Sequence, residues 1–274
     1  MTFFSKFRKT SVFGIGTLTI GSILYYNFGR IFSNIEFNDS ENINLESSKW
    51  DHNWDRRYFK SKSKLISDNT NLQSYNKARA KIVRHVILIR HGQYNTQGKT
   101  DNDRHLTHLG KLQAEITGMR LAEIAVPYTT IVRSTMTRAQ ETSKLIEVHL
   151  PTVPVMDDSL LVEGTPIPPD PPSGHWKSEK TFFQDGPRIE AAFRKYFHRS
   201  ELSDESDTYT ILVCHANIIR YFICRALQFP PNGWLRMSLN HGSITWITIF
   251  SSGRVILRCF GDTGHMLPEW ITSN

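Results

Sequence analysis

With 274 residues, 39% of them hydrophobic and 22% charged, the chain suits one sizeable domain plus an appendage and has an ordinary globular composition. Its formal net charge of +7 is confined to the N-terminal third: residues 1–85 carry 14 Lys and Arg against 7 Asp and Glu, whereas residues 86–274 carry 19 of each. A neutral main body excludes a domain-wide nucleic-acid surface, and the basic N-terminal region points instead to a membrane or a targeting machinery.

Residues 11–28 carry no charge; Lys6, Arg8 and Lys9 precede them, Arg30 follows, and no acidic residue appears before Glu36. The run is near the lower length limit for a membrane span, and Tyr25 and Tyr26 suit an interface. A cleaved secretory signal is the competing reading, but no small-x-small cleavage site stands out. Nothing downstream calls for disulfides either. Cys214, Cys224 and Cys259 show neither metal nor pairing spacing and sit among apolar residues, as buried free thiols do. Residues 1–32 are therefore read as an uncleaved N-terminal targeting and transmembrane anchor, whose basic flank also suits mitochondrial targeting. Residues 33–80 are polar, lack a sustained period and read as a flexible linker. One island interrupts it: Trp50-Asp51-His52-Asn53-Trp54-Asp55-Arg56-Arg57. Two indoles require burial, either back on the chain's own domain or on another subunit, where Trp and Arg are typical anchors.

Residues 81–274 alternate strands with helices. Val86-Ile87-Leu88-Ile89 reads as a buried strand that runs into Arg90-His91-Gly92. After a polar loop, Thr107 caps a helix predicted to reach Ile124, with Leu109, Leu112, Ile116 and Met119 at helical spacing. A short strand over residues 129–132 ends in Arg133-Ser134, and a helix over 139–150 is stopped by Pro151. A short strand is expected within 153–161, then Glu163-Gly164, a Pro-rich loop and a helix over 187–198 with Pro187 in its first turn. Residues 208–214 form a clear strand leading into His215, residues 218–227 an apolar helix, and 244–250 with 255–260 an antiparallel hairpin. The pattern predicts a three-layer α/β/α sandwich with a mostly parallel central sheet.

Arg90-His91, the segment Ser134 to Arg138, Glu163 and His215 each follow a strand or loop end, and parallel strands would bring those ends to one rim. Two Arg, two His and one carboxylate suit a phosphoryl group. A guanidinium fork matches phosphate oxygens, a neutral imidazole is a nucleophile, and a carboxyl supplies a proton. His85, His105, His175 and His241 are read as packing or exposed residues, while Gln93 and Asn95 hint at phosphate or substrate contact.

These residues resemble the histidine phosphatase superfamily, whose prototype is phosphoglycerate mutase. Longer strings, among them Trp50-Asp51-x-Asn53-Trp54-Asp55, Glu163-Gly164-x-Pro166-Ile167, Arg225 to Pro231 and Gly261-Asp262-Thr263-Gly264, are similar to the mitochondrial serine/threonine-protein phosphatases of that family. The similarity covers about residues 50–268. It implies His91 as the nucleophile that becomes phosphohistidine, Glu163 as general acid and base, and Arg90, Arg138 and His215 as phosphate ligands, with no metal or cofactor. It also implies hydrolysis of phosphoserine and phosphothreonine in proteins at the mitochondrial outer membrane. Stress-signalling kinases of the apoptosis-signal-regulating type would be substrates. Homo-oligomerisation and activation would run through Trp50, Asp51, Asn53, Trp54 and Asp55, where His52 departs from the small residue or Pro expected at the third position. Little material separates His91 from the first helix, which favours an open site and a protein substrate. A small-molecule phosphatase or phosphoglycerate mutase is the alternative enzyme, and a catalytically idle mitochondrial scaffold the alternative of another class.

Overall fold

The computed structural model describes residues 49–57, 82–173, 177–200 and 204–273. The expected anchor over 1–32 and most of the linker over 33–80 lie outside these residues, and no helix among the described residues is long and apolar enough to cross a membrane.

Six strands, β1 (Val83–Arg90), β2 (Thr130–Arg133), β3 (Val155–Asp157), β4 (Thr208–Cys214), β5 (Ile244–Phe250) and β6 (Val255–Asp262), form one sheet in the order β3-β2-β4-β1-β5-β6. β1 pairs in parallel with β4, β4 with β2, and β2 with β3. β5 runs antiparallel to both β1 and β6. The sheet is therefore mixed, parallel through β1–β4 and antiparallel where the β5–β6 hairpin joins beside β1.

Alternation along the strands builds two cores. Val86, Leu88, Leu212 and Ile247 face α3 (Glu179–Tyr196) and α4 (Ala216–Ala226) through Ile189, Phe193, Ile219 and Phe222. Ile87, Ile89, Ile131 and Ile211 face α1 (His108–Ile124) and α2 (Thr137–His149) through Leu121 and Ile146. A strand buried on both faces needs a continuous apolar run, which is why β1 and β4 do not alternate with polar residues. The layers are helix, sheet, helix.

Thr107 caps α1 as expected, its hydroxyl accepting from the Gly110 amide at 3.0 Å. The short strand expected within 153–161 is present as Val155–Asp157, ending where Asp158 accepts from the Leu160 amide at 2.9 Å and opens a 3₁₀ turn over Ser159–Leu161. One element differs from its sequence reading. α3 begins at Glu179, not at Pro187, which sits inside the helix. Pro187 leaves the carbonyl of Phe183 without its helical donor, and Phe183 is 80% exposed, so that acceptor lies on the solvent side. Packing holds the early turns: the Asp185 carboxylate accepts from the Thr165 amide at 2.9 Å, and a Cβ on Gly186 would lie 2.6 Å from the Pro166 carbonyl oxygen.

Candidate active site

The carboxyl ends of β1 and β4 lie side by side, with Arg90 paired to Cys214 in register and the His91 amide donating to the Cys214 carbonyl at 3.1 Å. His91 follows β1, and His215 follows β4 and caps the N-terminus of α4. Arg138 is the second residue of α2, just beyond β2. The first turn of α1 closes tightly on this rim. A Cβ on Gly92 would sit 2.3 Å from the Gly110 oxygen, and one on Gly110 only 1.8 Å from the Gln93 oxygen, so neither position has room for a side chain.

His91 is 2% exposed. Its Nδ1 lies 2.8 Å from the Gly92 carbonyl oxygen, which only accepts, so the proton sits on Nδ1 and Nε2 keeps its lone pair. Arg138 Nε donates to that Nε2 at 3.1 Å. Burial, His215, Arg138 and Arg90 together hold the His91 pKa well below the ordinary histidine value, so the ring is neutral at pH 7. The His215 ring stands 5.1 Å from it, with Nε2 2.8 Å from the Ser134 hydroxyl and no partner for Nδ1 among the described residues. Burial followed by Arg138 and Arg90 drives its pKa down as well.

Both arginines are buried cations. Arg90 Nη1 donates to the carbonyls of Leu239 and Ser273, the latter at 2.8 Å, while its Nε has no partner among the described residues. Burial lowers its pKa to about 10, against the pull of Glu163. Arg138 also reaches Asp101 at 3.4 Å. Glu163 accepts from the Gly164 amide at 3.1 Å. Its pKa is raised, because burial outweighs that hydrogen bond and the charges of Arg138 and Arg90. Arg188 donates to the carbonyls of Leu160, Val162 and Glu163, fixing the backbone on which the acid stands. The five groups thus meet: a neutral imidazole whose Nε2 lone pair accepts from Arg138, a second cation nearby, and a carboxyl that holds its proton to higher pH than usual.

Two pocket residues escaped the sequence reading. The Tyr94 ring stands edge-on 5.1 Å from His91 and 4.6 Å from the Arg138 guanidinium. His241, expected to be a packing or exposed residue, is fully buried with its ring 5.6 Å from His91. It arrives there because β5 is antiparallel to β1, so the segment leading into β5 ends at the rim where β1 leaves: Ile89 pairs with Ile244, and Arg90 N donates to the Ser243 carbonyl at 3.3 Å. Gln93 and Asn95 serve the loop instead. Gln93 Oε1 accepts from the Thr107 hydroxyl at 2.7 Å, and the Asn95 side chain bonds Asp103 and Gln97. His85 packs under Tyr209 and Trp246, His105 pairs with Glu141, and His175 lies outside the described residues.

The Trp island lies against the chain's own domain. Trp54 Nε1 donates to the Gly253 carbonyl at 2.8 Å, and its ring meets Phe193 at 6.0 Å. Asp55 takes the Arg199 guanidinium in a bidentate pair at 2.7–3.0 Å, both side chains 2% exposed. Burial raises the Asp55 pKa, but the Arg199 bonds and charge overcome it and hold it low. Asp51 exchanges backbone bonds with the Gln228 carboxamide, and Asn53 N donates to Asp51 Oδ1 at 2.8 Å. His52 contributes only its carbonyl, to Arg199 at 2.8 Å, and its side chain is exposed. Trp50 is half-buried.

Residues 86–164 and 171–262 match the histidine phosphatase superfamily (branch 1). The chain is 53% identical over 230 residues to human serine/threonine-protein phosphatase PGAM5, mitochondrial, covering 81% of this chain and 80% of that one. It is 45% identical over 281 residues to serine/threonine-protein phosphatase Pgam5, mitochondrial, of Drosophila mojavensis, covering 97% and 96%. Among solved structures, mycobacterial hydrolase 1 shares the fold, with a TM-score of 0.51 and 21% identity over 66% of this chain and 99% of that one. The arrangement around His91 is thus found in a chain that belongs to the histidine phosphatase superfamily.

Proposed function

We propose that the chain is a mitochondrial protein phosphatase that hydrolyses phosphoserine and phosphothreonine through a phosphohistidine. The observation that carries this is the His91 tautomer: Nδ1 is tied to the Gly92 carbonyl, leaving Nε2 as a lone pair among cations. The names of the relatives in mammals and insects support the substrate class and the compartment.

In the first step Nε2 attacks phosphorus in line, the bond from phosphorus to the seryl or threonyl oxygen breaks, and Glu163 passes its proton to that oxygen. Arg138 moves from Nε2 onto the phosphoryl oxygens, joining Arg90 and the neutral His215, so charge developing in the transition state meets two buried guanidinium groups. In the second step Glu163, now a carboxylate, takes a proton from water as the water oxygen attacks phosphorus. The P–N bond breaks, its electron pair returns to Nε2, and phosphate leaves. The raised Glu163 pKa keeps the proton available for the first step.

The proposal extends to an N-terminal anchor in the outer membrane, substrates among stress-signalling kinases of the apoptosis-signal-regulating type, and assembly through Trp50, Asp51, Asn53, Trp54 and Asp55. Residues 58–81 join the island to β1, and an island crossing to a neighbour would offer that subunit the contacts described above. The test is a rapid quench with ³²P-phosphopeptide. Wild-type protein should show acid-labile phosphate on His91, Glu163→Gln should form it more slowly, and His91→Ala should trap none and lose turnover. Turnover of bisphosphoglycerate without phosphopeptide hydrolysis would replace this reading with a mutase. A cellular effect that survives His91→Ala would replace it with a scaffold.

A further inference from the structure

Buried polar atoms without a hydrogen-bond partner are rare in folded proteins, and each calls for an explanation. Around His91 three stand out among the described residues: Arg90 Nε, His215 Nδ1 and His241 Nε2. The first two belong to groups already read as phosphate ligands. By the same criterion the third belongs with them.

His241 is fully buried and held on every side but that one. Its amide donates to the Thr272 carbonyl at 2.8 Å. The next residue, Gly242, has φ +67° and donates from its amide to the Arg90 carbonyl at 3.0 Å. A side chain there is excluded twice, by that φ and by Met266, 2.6 Å from where a Cβ would lie. The ring is therefore set by the backbone of the neighbouring strand and does not drift into its position.

A chain of hydrogen bonds holds the other ring nitrogen, Nδ1. Gln113 Oε1 accepts from the Gln93 amide at 2.8 Å, so the other end of that carboxamide is the donor. Gln113 Nε2 gives one hydrogen to the Trp270 carbonyl at 2.7 Å and one to the Thr272 hydroxyl at 2.9 Å. The hydroxyl keeps a second lone pair and its proton, so it can accept from or donate to His241 Nδ1, 2.9 Å away. A phosphate oxygen facing Nε2 selects the arrangement in which the hydroxyl donates and the imidazole proton resides on Nε2. Burial and the Arg90 charge keep the ring neutral by lowering its pKa to about 3. The Tyr94 ring stands 6.4 Å from His241 as well as against His91 and Arg138. A phosphoryl group held at His91 has the His241 ring as a neighbour, 5.6 Å from the His91 ring.

We propose that His241 is a phosphoryl ligand of this site, its neutral Nε2–H donating to a non-bridging oxygen of the bound phosphate, and that Thr272 and Gln113 are positioning residues that hold the ring through Nδ1. The proposal rests on the phosphatase reading only for its substrate, because inorganic phosphate or vanadate occupies the same cradle. A neutral donor adds a hydrogen bond without adding repulsion to the two arginines. One such bond is worth about a factor of ten in affinity.

The test uses the purified chain with inorganic phosphate and orthovanadate, titrated by calorimetry. His241→Ala should weaken both by about tenfold, and His241→Asn, whose amide keeps a donor, should restore most of the loss. Thr272→Val should raise KM for a phosphopeptide more than it lowers kcat. A readout that needs no folded variant is ¹⁵N NMR of wild-type histidines. The His241 Nε2 resonance should be that of a protonated nitrogen in the phosphate complex and should shift on phosphate binding. An unprotonated Nε2 in the phosphate complex, or vanadate affinity unchanged in His241→Ala, would overturn the assignment. Neither outcome would touch the phosphatase reading, which fails only if wild-type protein leaves phosphopeptides intact.

Discussion

Acid should unfold this protein earlier than its carboxylates alone would dictate. His91, His215 and His241 are at most 2% exposed, and all three have pKa values depressed chiefly by burial, His241 to about 3. In the unfolded chain each returns to about 6.5. Below that value the unfolded state binds protons the folded state refuses, so stability rises with pH and falls on acidification. A histidine that stays neutral in the folded state while it titrates in the unfolded one costs on the order of 1 kcal/mol between pH 7.0 and 5.5. Three acting in the same direction take a substantial part of the 5–15 kcal/mol typical of a domain.

Other groups do not cancel this. Glu163 has the opposite sign, because its raised pKa means the folded state takes up its proton first, but it is one group and acts mainly at the acid end of the window. Asp55, Asp158 and Glu190 are depressed carboxylates whose contributions are lost only below the ordinary carboxylate range. His85 and His265 are also lowered and act in the same direction as the pocket histidines. Urea unfolding at pH 7.0, 6.25 and 5.5 measures the slope. His241→Asn should recover about a third of the loss. Equal stability at pH 7.0 and 5.5 would refute the reasoning, since it would mean that the pocket histidines titrate as freely folded as unfolded.

Asp55→Ala leaves the Arg199 guanidinium buried without its partner, both side chains being 2% exposed, and should cost about 3–5 kcal/mol in urea unfolding. A loss below about 1 kcal/mol would place the pair among solvated surface bridges. Tyr94→Ala removes the ring that shields His91 and stacks on Arg138. Labelling of His91 by diethyl pyrocarbonate, followed by mass spectrometry, should accelerate several-fold, and an unchanged rate would show that another group covers the nucleophile.

The most readable parts of the sequence were those where one strand does one job. An apolar run ending in Arg90-His91 and another ending in Cys214-His215 announce buried parallel strands, and a parallel pair delivers both histidines to one edge. Arg138 and Glu163 follow shorter elements: the pattern offered the segment Ser134 to Arg138 and Glu163 as candidates, and the family resemblance assigned their individual roles. Tyr94 and His241 were hidden for different reasons. Tyr94 belongs to a loop whose path depends on Gly92, Gly110 and the Thr107 cap, contacts no local pattern encodes. His241 precedes a strand, so a rule that looks for ligands after strands passes over it. The antiparallel pairing of β5 with β1 reverses that rule. Pro187 misled through propensity, because a Pro is a better predictor of a helix start than of a helix middle until tertiary contacts such as Asp185 with Thr165 are known.

Glu163 differs from the other groups of the pocket in how it is held. His91 and His215 continue strands, and Arg138 sits in a helix turn directly behind β2, so the sheet itself fixes them. Glu163 follows only a 3₁₀ turn, and its backbone is gripped by Arg188 and, through Thr165, by Asp185. Both lie on α3. The same helix presents Phe193 to Trp54, and just beyond its end Arg199 takes Asp55. From Arg188 to Tyr196 a helix rises about 12 Å, short enough to move as one rigid body. Docking of the island thus fixes the far end of the element that aims the acid, whereas nothing comparable joins it to His91 among the described residues. Control by assembly, as proposed, would then act on proton delivery and not on the nucleophile.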